Sequence, residues 1–148
     1  MNLTEQINED IKSAMKAKDK VRLESLRAIK SALLLAASDK SPNASGEEAE
    51  LKMLQKLVKQ RKDAAEIYNK EGRAELEKDE LDQIAIIEQY LPAQLSPDEI
   101  KQELQKIIQE TGASSMADMG KVMGKANQVL AGKADGKLIA QFVKESLS

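Results

Sequence analysis

Apolar side chains recur at steps of three and four along most of the chain, the spacing that gathers residues onto one stripe of an α-helix. Leu3, Ile7, Ile11, Ala14 and Met15 form such a stripe in a first helix ending near Lys18. Asp19 is placed to cap a second helix, whose Leu23, Leu26, Ile29 and Leu33 run on into a Leu33–Leu35 cluster. The stretch from Ser38 to Gly46 is rich in turn formers and reads as an exposed, mobile connection. A third helix is expected over about Glu47 to Glu71, with Leu51, Leu54, Leu57, Val58, Ala64, Ala65, Ile67 and Tyr68 on its buried side and Gly72 as its C-terminal cap. A fourth runs to about Leu91 with Leu76, Leu81, Ile84, Ile87, Tyr90 and Leu91 facing inward, and Pro92 closes it. The third and fourth helices should form an antiparallel hairpin.

The sharpest local signal is Ser96-Pro97-Asp98-Glu99, in which Ser96 and Glu99 have capping-box spacing and Pro97 occupies the first helical position. The fifth helix begins there, carries Ile100, Leu104, Ile107 and Ile108, and ends at Gly112. Ser115 and Asp118 repeat the capping-box spacing with Asp in place of Glu, which predicts a sixth helix running to about Leu130. Gly132 then ends that helix, and Asp135 caps a seventh that faces inward through Leu138, Ile139, Phe142, Val143 and Leu147. The short segment from Tyr90 to Leu95 separates helices with different apolar faces, so a domain boundary is expected there. The expected architecture is all-α: an N-terminal helical, bundle-like domain over 1–92 and a C-terminal three-helix tail domain over 96–148.

Composition narrows the chemistry. Aromatic residues make up 2% of the 148 and charged residues 32%, and three prolines with seven glycines are too few for the closely spaced turns of an all-β chain. The chain has no cysteine and no histidine, which removes thiol nucleophiles, imidazole bases and Cys/His zinc sites, and neither a cofactor nor a metal is expected. The first residues lack a basic segment followed by an apolar one, so the expected compartment is the cytoplasm. The longest apolar run, Ala32 to Ala37, falls far below the roughly 20 residues that cross a bilayer. With 23 basic and 25 acidic residues the net charge is −2, so any attraction for nucleic acid must come from a local patch.

Such a patch is available near the C-terminus. Lys121 and Lys125 stand four apart on one helical face, and with Lys133 and Lys137 they could form a positive surface, although an ordinary solvated face would contain the same residues. The segment Gly132-Lys133-Ala134-Asp135-Gly136-Lys137 is glycine-rich and opens a helix, yet it fails as a phosphate-binding P-loop. Three residues separate its glycines where four are needed, Leu138 follows Lys137 in place of Ser or Thr, and a helix precedes it. Gly120 and Gly124, four apart and accompanied by Met116, Met119 and Met123, suggest close helix packing. Basic residues on the third helix (Lys52, Lys56, Lys59, Arg61, Lys62) and acidic ones early in the fourth (Glu75, Glu77, Asp79, Glu80, Asp82) suggest ion pairs that help set the hairpin register.

The wording of three segments carries a resemblance. Leu26-Arg27-Ala28-Ile29-Lys30-Ser31-Ala32-Leu33, Gln60-Arg61-Lys62-Asp63-Ala64-Ala65-Glu66-Ile67-Tyr68 and Tyr90-Leu91-Pro92-Ala93-Gln94-Leu95-Ser96 together resemble the GatB/YqeY family. Asp118-Met119-Gly120-Lys121-Val122-Met123-Gly124 and the Gly132–Lys137 segment are similar to the tail of the B subunit of the glutamyl- and aspartyl-tRNA amidotransferase. The resemblance implies a helical domain followed by a three-helix tail. It also implies a tail that touches the outer corner of tRNA, while the amide-transfer chemistry occurs in domains missing from this chain. The expected function is therefore a non-catalytic accessory module directed at tRNA through Lys121, Lys125, Lys133 and Lys137. Two alternatives are an adaptor for amidotransferase or aminoacyl-tRNA synthetase subunits, and a carbon–nitrogen ligase using glutamine as amide donor. For the last, Ser114 or Ser115 near Lys121 offers only a token nucleophile.

Overall fold

In a computed structural model, residues 1–39 and 46–148 are described, and most of the loop expected between the second and third helices lies outside them. The described residues form α1 (Leu3–Ala17), α2 (Lys20–Ser38), α3 (Glu47–Lys70), α4 (Ala74–Glu88), α5 (Pro97–Thr111), α6 (Met119–Val129) and α7 (Gly136–Leu147), with a single 3₁₀ turn at Met116–Asp118 and no strand. The fold is all-α. The chain divides into two compact units, Met1–Leu91 and Pro92–Ser148.

In the first unit α1 and α2 are joined by two residues. Lys18 adopts a left-handed conformation (φ 54°) that ends α1, and the Asp19 carboxylate accepts the Arg22 N–H at 3.1 Å to start α2. Helices α1, α2, α3 and α4 meet on an aliphatic core of Ile7, Ala14, Leu26, Ile29, Leu54, Val58, Ile84 and Ile87. Ser25 is the buried polar residue among the described residues of this unit, and its hydroxyl donates to the Val21 carbonyl at 2.8 Å, so its burial leaves no unmet hydrogen bond. Half-buried Tyr90 donates its hydroxyl to Asp10 at 2.5 Å, and Arg22 stands 3.9 Å from the other oxygen of that carboxylate. This cluster ties the segment after α4 back onto α1.

Three expectations change. The fourth helix ends at Glu88, three residues early, because Tyr90 and Leu91 donate to Ile87 and Glu88 in tighter i→i+3 turns and Pro92 disfavours a helical Leu91. Met15, Ile67, Leu76 and Leu81, placed on the apolar stripes by periodicity, are exposed, Ile67 by 55%, and so are Leu34 and Leu35 of the cluster near the end of α2, Leu35 by 74%. The expected register-setting ion pairs also fail. Arg61 donates to Gln83 at 2.9 Å and Lys62 lies 3.9 Å from Glu88, so residues near 61 face those near 83 to 88. In an antiparallel hairpin of that register, Lys52, Lys56 and Lys59 lie beyond the reach of Glu75, Glu77, Asp79 and Glu80, and none of those pairs forms. The distal half of the hairpin, residues 59–83, buries only Ala65.

The second unit packs α5, α6 and α7 around Ile100, Leu104, Ile107, Val122, Ala126, Leu130, Ile139, Phe142, Val143 and Leu147. The capping box at its entrance forms in full. Ser96 Oγ accepts the Glu99 N–H at 3.2 Å, and the Glu99 carboxylate accepts the Ser96 N–H at 3.1 Å and is held below the usual carboxylate range by it. The second capping box does not form. Ser115 makes no side-chain cap, Asp118 instead accepts the Ser114 N–H at 3.0 Å, and a 3₁₀ turn delays α6 to Met119.

The Tyr90 hydroxyl is pushed up to about 12, first by burial and then by its bond to the Asp10 carboxylate. An acid whose pKa is higher folded than unfolded loses protons first in the unfolded chain, so its stabilisation is present below pH 10 and is lost as pH rises toward 12. Tyr90→Phe should therefore cost about 1 kcal/mol in urea unfolding at pH 7, a figure reduced for partial exposure. The gap between wild type and variant should narrow from pH 10 upward.

Candidate nucleic-acid interface

The four lysines singled out in the sequence all lie in the second unit, in two environments. Lys121 and Lys125 project from α6 toward the C-terminal end of α5. There Lys121 Nζ donates to the Thr111 carbonyl at 3.3 Å, and Lys125 Nζ meets Glu110 at 2.6 Å. A cation suits that position, since carbonyls without intrahelical partners concentrate negative charge at a helix C-terminus. Lys125 also holds the Glu110 carboxylate below the usual range, chiefly through the hydrogen bond. Both groups of this pair are largely solvated, so the attraction is screened and a phosphate could compete for the ammonium.

Lys133 and Lys137 differ. Both are exposed, and no hydrogen bond or ion pair to their ammonium groups occurs among the described residues. Their backbone is nonetheless fixed. Gly132 takes a left-handed conformation (φ 73°) at the end of the turn after α6, and its carbonyl accepts Gln94 Nε2 at 2.6 Å. The Lys133 carbonyl accepts the Leu95 N–H at 2.9 Å. Asp135 then caps α7 by accepting the Lys137 N–H at 3.0 Å, which sets Lys137 in the first turn of that helix. The Pro92–Leu95 segment thus braces the α6–α7 turn, a role that its sequence alone did not suggest.

The expected close packing at Gly120 and Gly124 is absent. Alanine carbons built at either position would meet nothing within 4 Å. The reason is rotational. The packed stripe of α6 runs through Val122 and Ala126, with Met119 and Met123 half-buried beside it, and each glycine lies two residues from Val122, about 200° around the helix. Two glycines therefore face outward on α6, next to Lys121 and Lys125 in sequence, where neither packing nor a positive φ requires them. Met116, the third methionine of the expected stripe, is 41% exposed.

What the arrangement offers chemically is positive charge on a rigid support with bare helix backbone beside it. Ser114 and Ser115 are not activated by Lys121, whose ammonium goes to Thr111 instead. No group of three or more carboxylates capable of holding a metal ion occurs among the described residues, and no helix among them is long and apolar enough to cross a membrane. Between α5 and α7, Lys101 covers the Phe142 ring at 4.8 Å from its centroid, which keeps that ring from serving as an open stacking platform.

No curated protein matches the chain. The family of YqeY-like proteins matches residues 4–147, and with nearly the whole length covered the chain belongs to that family.

Proposed function

We propose that this protein is a non-catalytic accessory module directed at tRNA, binding through Lys133 and Lys137 with support from Lys121 and Lys125. The observation that carries the reading is the pair of outward glycines on α6. A glycine inside a helix is about 1 kcal/mol less favourable than alanine, so Gly120 and Gly124 sacrifice stability where no neighbour needs the space. Bare backbone is useful where another backbone must come close, and a nucleic-acid strand is such a partner. The adjacent lysines supply the charge for its phosphates. The similarity of these two segments to the tail of the amidotransferase B subunit points the same way.

An adaptor that docks on amidotransferase or aminoacyl-tRNA synthetase subunits is the competing reading. Capture of partners from nuclease-treated lysate separates the two, since an RNA-bridged partner disappears and a directly bound one survives. Glutamine-dependent carbon–nitrogen ligation would require ammonia release from glutamine above that of a heat-killed sample.

Fluorescence anisotropy against labelled tRNA at several salt concentrations tests the leading proposal. Lys133→Glu with Lys137→Glu should weaken binding at least about tenfold and flatten the plot of log affinity against log salt by roughly 1.5 to 2. Lys125→Glu should do less, because that ammonium is already shared with Glu110. Unchanged affinity in the double variant would remove these lysines from the site.

Gly120→Ala with Gly124→Ala separates stability from function. The pair should raise the unfolding free energy by about 1 to 2 kcal/mol, since both positions are helical with open space around them. Its tRNA affinity should fall. Higher stability with unaltered affinity would show that close approach at α6 plays no part in binding.

A further inference from the structure

The turn between α1 and α2 carries more positive charge than its own folding uses. Lys12, Lys16, Lys18 and Lys20 crowd around it, and all four are exposed. No hydrogen bond or ion pair to their ammonium groups occurs among the described residues. The neighbouring acids are committed elsewhere or stand apart. Asp10 accepts the Tyr90 hydroxyl beside Arg22, Asp19 accepts the Arg22 N–H, and Glu9 and Glu24, each within one turn of a lysine, form no ion pair with it. Lys12 and Lys16 stand four apart on the face of α1 turned away from buried Ile7 and Ala14.

Two of these lysines sit where they cost stability. Lys18 ends α1 with a φ of 54°, the one left-handed residue other than glycine among the described residues, at a position that glycine fills without strain. Gly112 does so after α5. Lys20 is the first residue of α2, and the first turn of that helix also contains Arg22 and no acid. Cations are disfavoured there, because the free N–H groups of a helix start already concentrate positive charge. The carbonyl end of α1 favours Lys16 and Lys18 but does nothing for Lys12, a full turn back, or for Lys20.

The surroundings select the occupant. The exposed residues among the lysines are Ser13, Met15, Ala17 and Asp19, so Met15 is the one sizeable apolar side chain at the turn. A protein interface is built on an apolar or aromatic centre in which lysine is scarce, and a helix on a membrane surface needs a wide apolar face, whereas that of α1 is buried in the core. Ammonium groups on a fixed turn without an apolar centre fit the spaced charges of a phosphate backbone. We propose that the α1–α2 turn is a further nucleic-acid contact, in the first unit, at which Lys12, Lys16, Lys18 and Lys20 meet the phosphates of an RNA strand without reading its sequence. The ligand class rests on the function proposed above, while the residues are independent of the C-terminal lysines.

The test is fluorescence anisotropy of the full chain against labelled tRNA and against a labelled RNA duplex of unrelated sequence. Lys12→Glu with Lys20→Glu, at positions that no helix end favours for lysine, should weaken binding to both about tenfold and lower the salt slope by roughly 1 to 2. Lys56→Glu with Lys59→Glu, the same charge change on exposed, unpaired lysines of α3, should weaken it by less than about threefold. Lys18→Gly should bind about threefold more weakly yet melt a few degrees higher, a combination that misfolding cannot produce. Full affinity in the Lys12/Lys20 variant, or an equal loss in the α3 variant, would overturn the proposal. So would capture by equimolar phosphatidylserine and phosphatidylcholine vesicles through the same lysines with RNA affinity unmoved. Loss in the turn variant with none in the Lys133/Lys137 variant supports this contact and removes the C-terminal one, the reverse removes this contact alone, and a wild type that binds no RNA overturns both.

Discussion

The structure depends on burying narrow aliphatic stripes. With 2% aromatic residues, the buried core of the first unit holds no ring among the described residues and that of the second holds Phe142, so each helix contributes two or three buried aliphatic side chains to a shared core. Ile7, Leu26, Ile29, Leu54 and Ile87 are inaccessible or nearly so in the first unit, and Ile100, Leu104, Val122 and Val143 in the second. Each such residue is worth roughly 1.5 to 3 kcal/mol of burial, and no single helix here would hold its shape in water without the others. Charged residues on the outer faces keep the stripes narrow and define which side of each helix can pack.

Around those cores a few polar contacts fix the connections. Tyr90, Asp10 and Arg22 hold the segment after α4 against α1, and Gln94 and Leu95 hold the turn after α6. Tyr90 in the first set and Gln94 and Leu95 in the second lie within a few residues of Pro92. Under the proposed tRNA reading the second set would matter for binding, because the backbone that it fixes carries Lys133 and leads directly into the helix start that carries Lys137. Lysines on a fixed turn lose less freedom on meeting a phosphate backbone than lysines on a loose loop would.

Elements of the candidate site trade stability for exposure. Gly120 and Gly124 weaken α6 without a packing return, and the ammonium groups of Lys133 and Lys137 have no protein partner among the described residues. The distal α3–α4 hairpin shows a similar pattern, with unpaired acids and exposed leucines around one buried alanine. Features that a fold does not need for itself are where recognition is sought.

The chain's own periodicity and caps determined the helices: the 3.6-residue spacing, Asp19, Ser96 with Glu99, Gly112 and Asp135 are local signals, and each acts within one turn of where it is read. Membership of the YqeY-like family was legible for the same reason, since it rests on ordered segments of sequence. What only the tertiary structure decided is which of the apolar and charged positions find partners. Ile67 and Leu81 have helical spacing like their buried neighbours, yet the core ends before reaching them. Gly120 and Gly124 have packing spacing, yet the rotation of α6 turns them outward. Lys121 and Lys125 were grouped with Lys133 and Lys137 as one candidate surface in sequence, and the end of α5 engages the first two alone. Spacing along a helix fixes which residues share a face, but the direction that face points is set by helices distant in the chain.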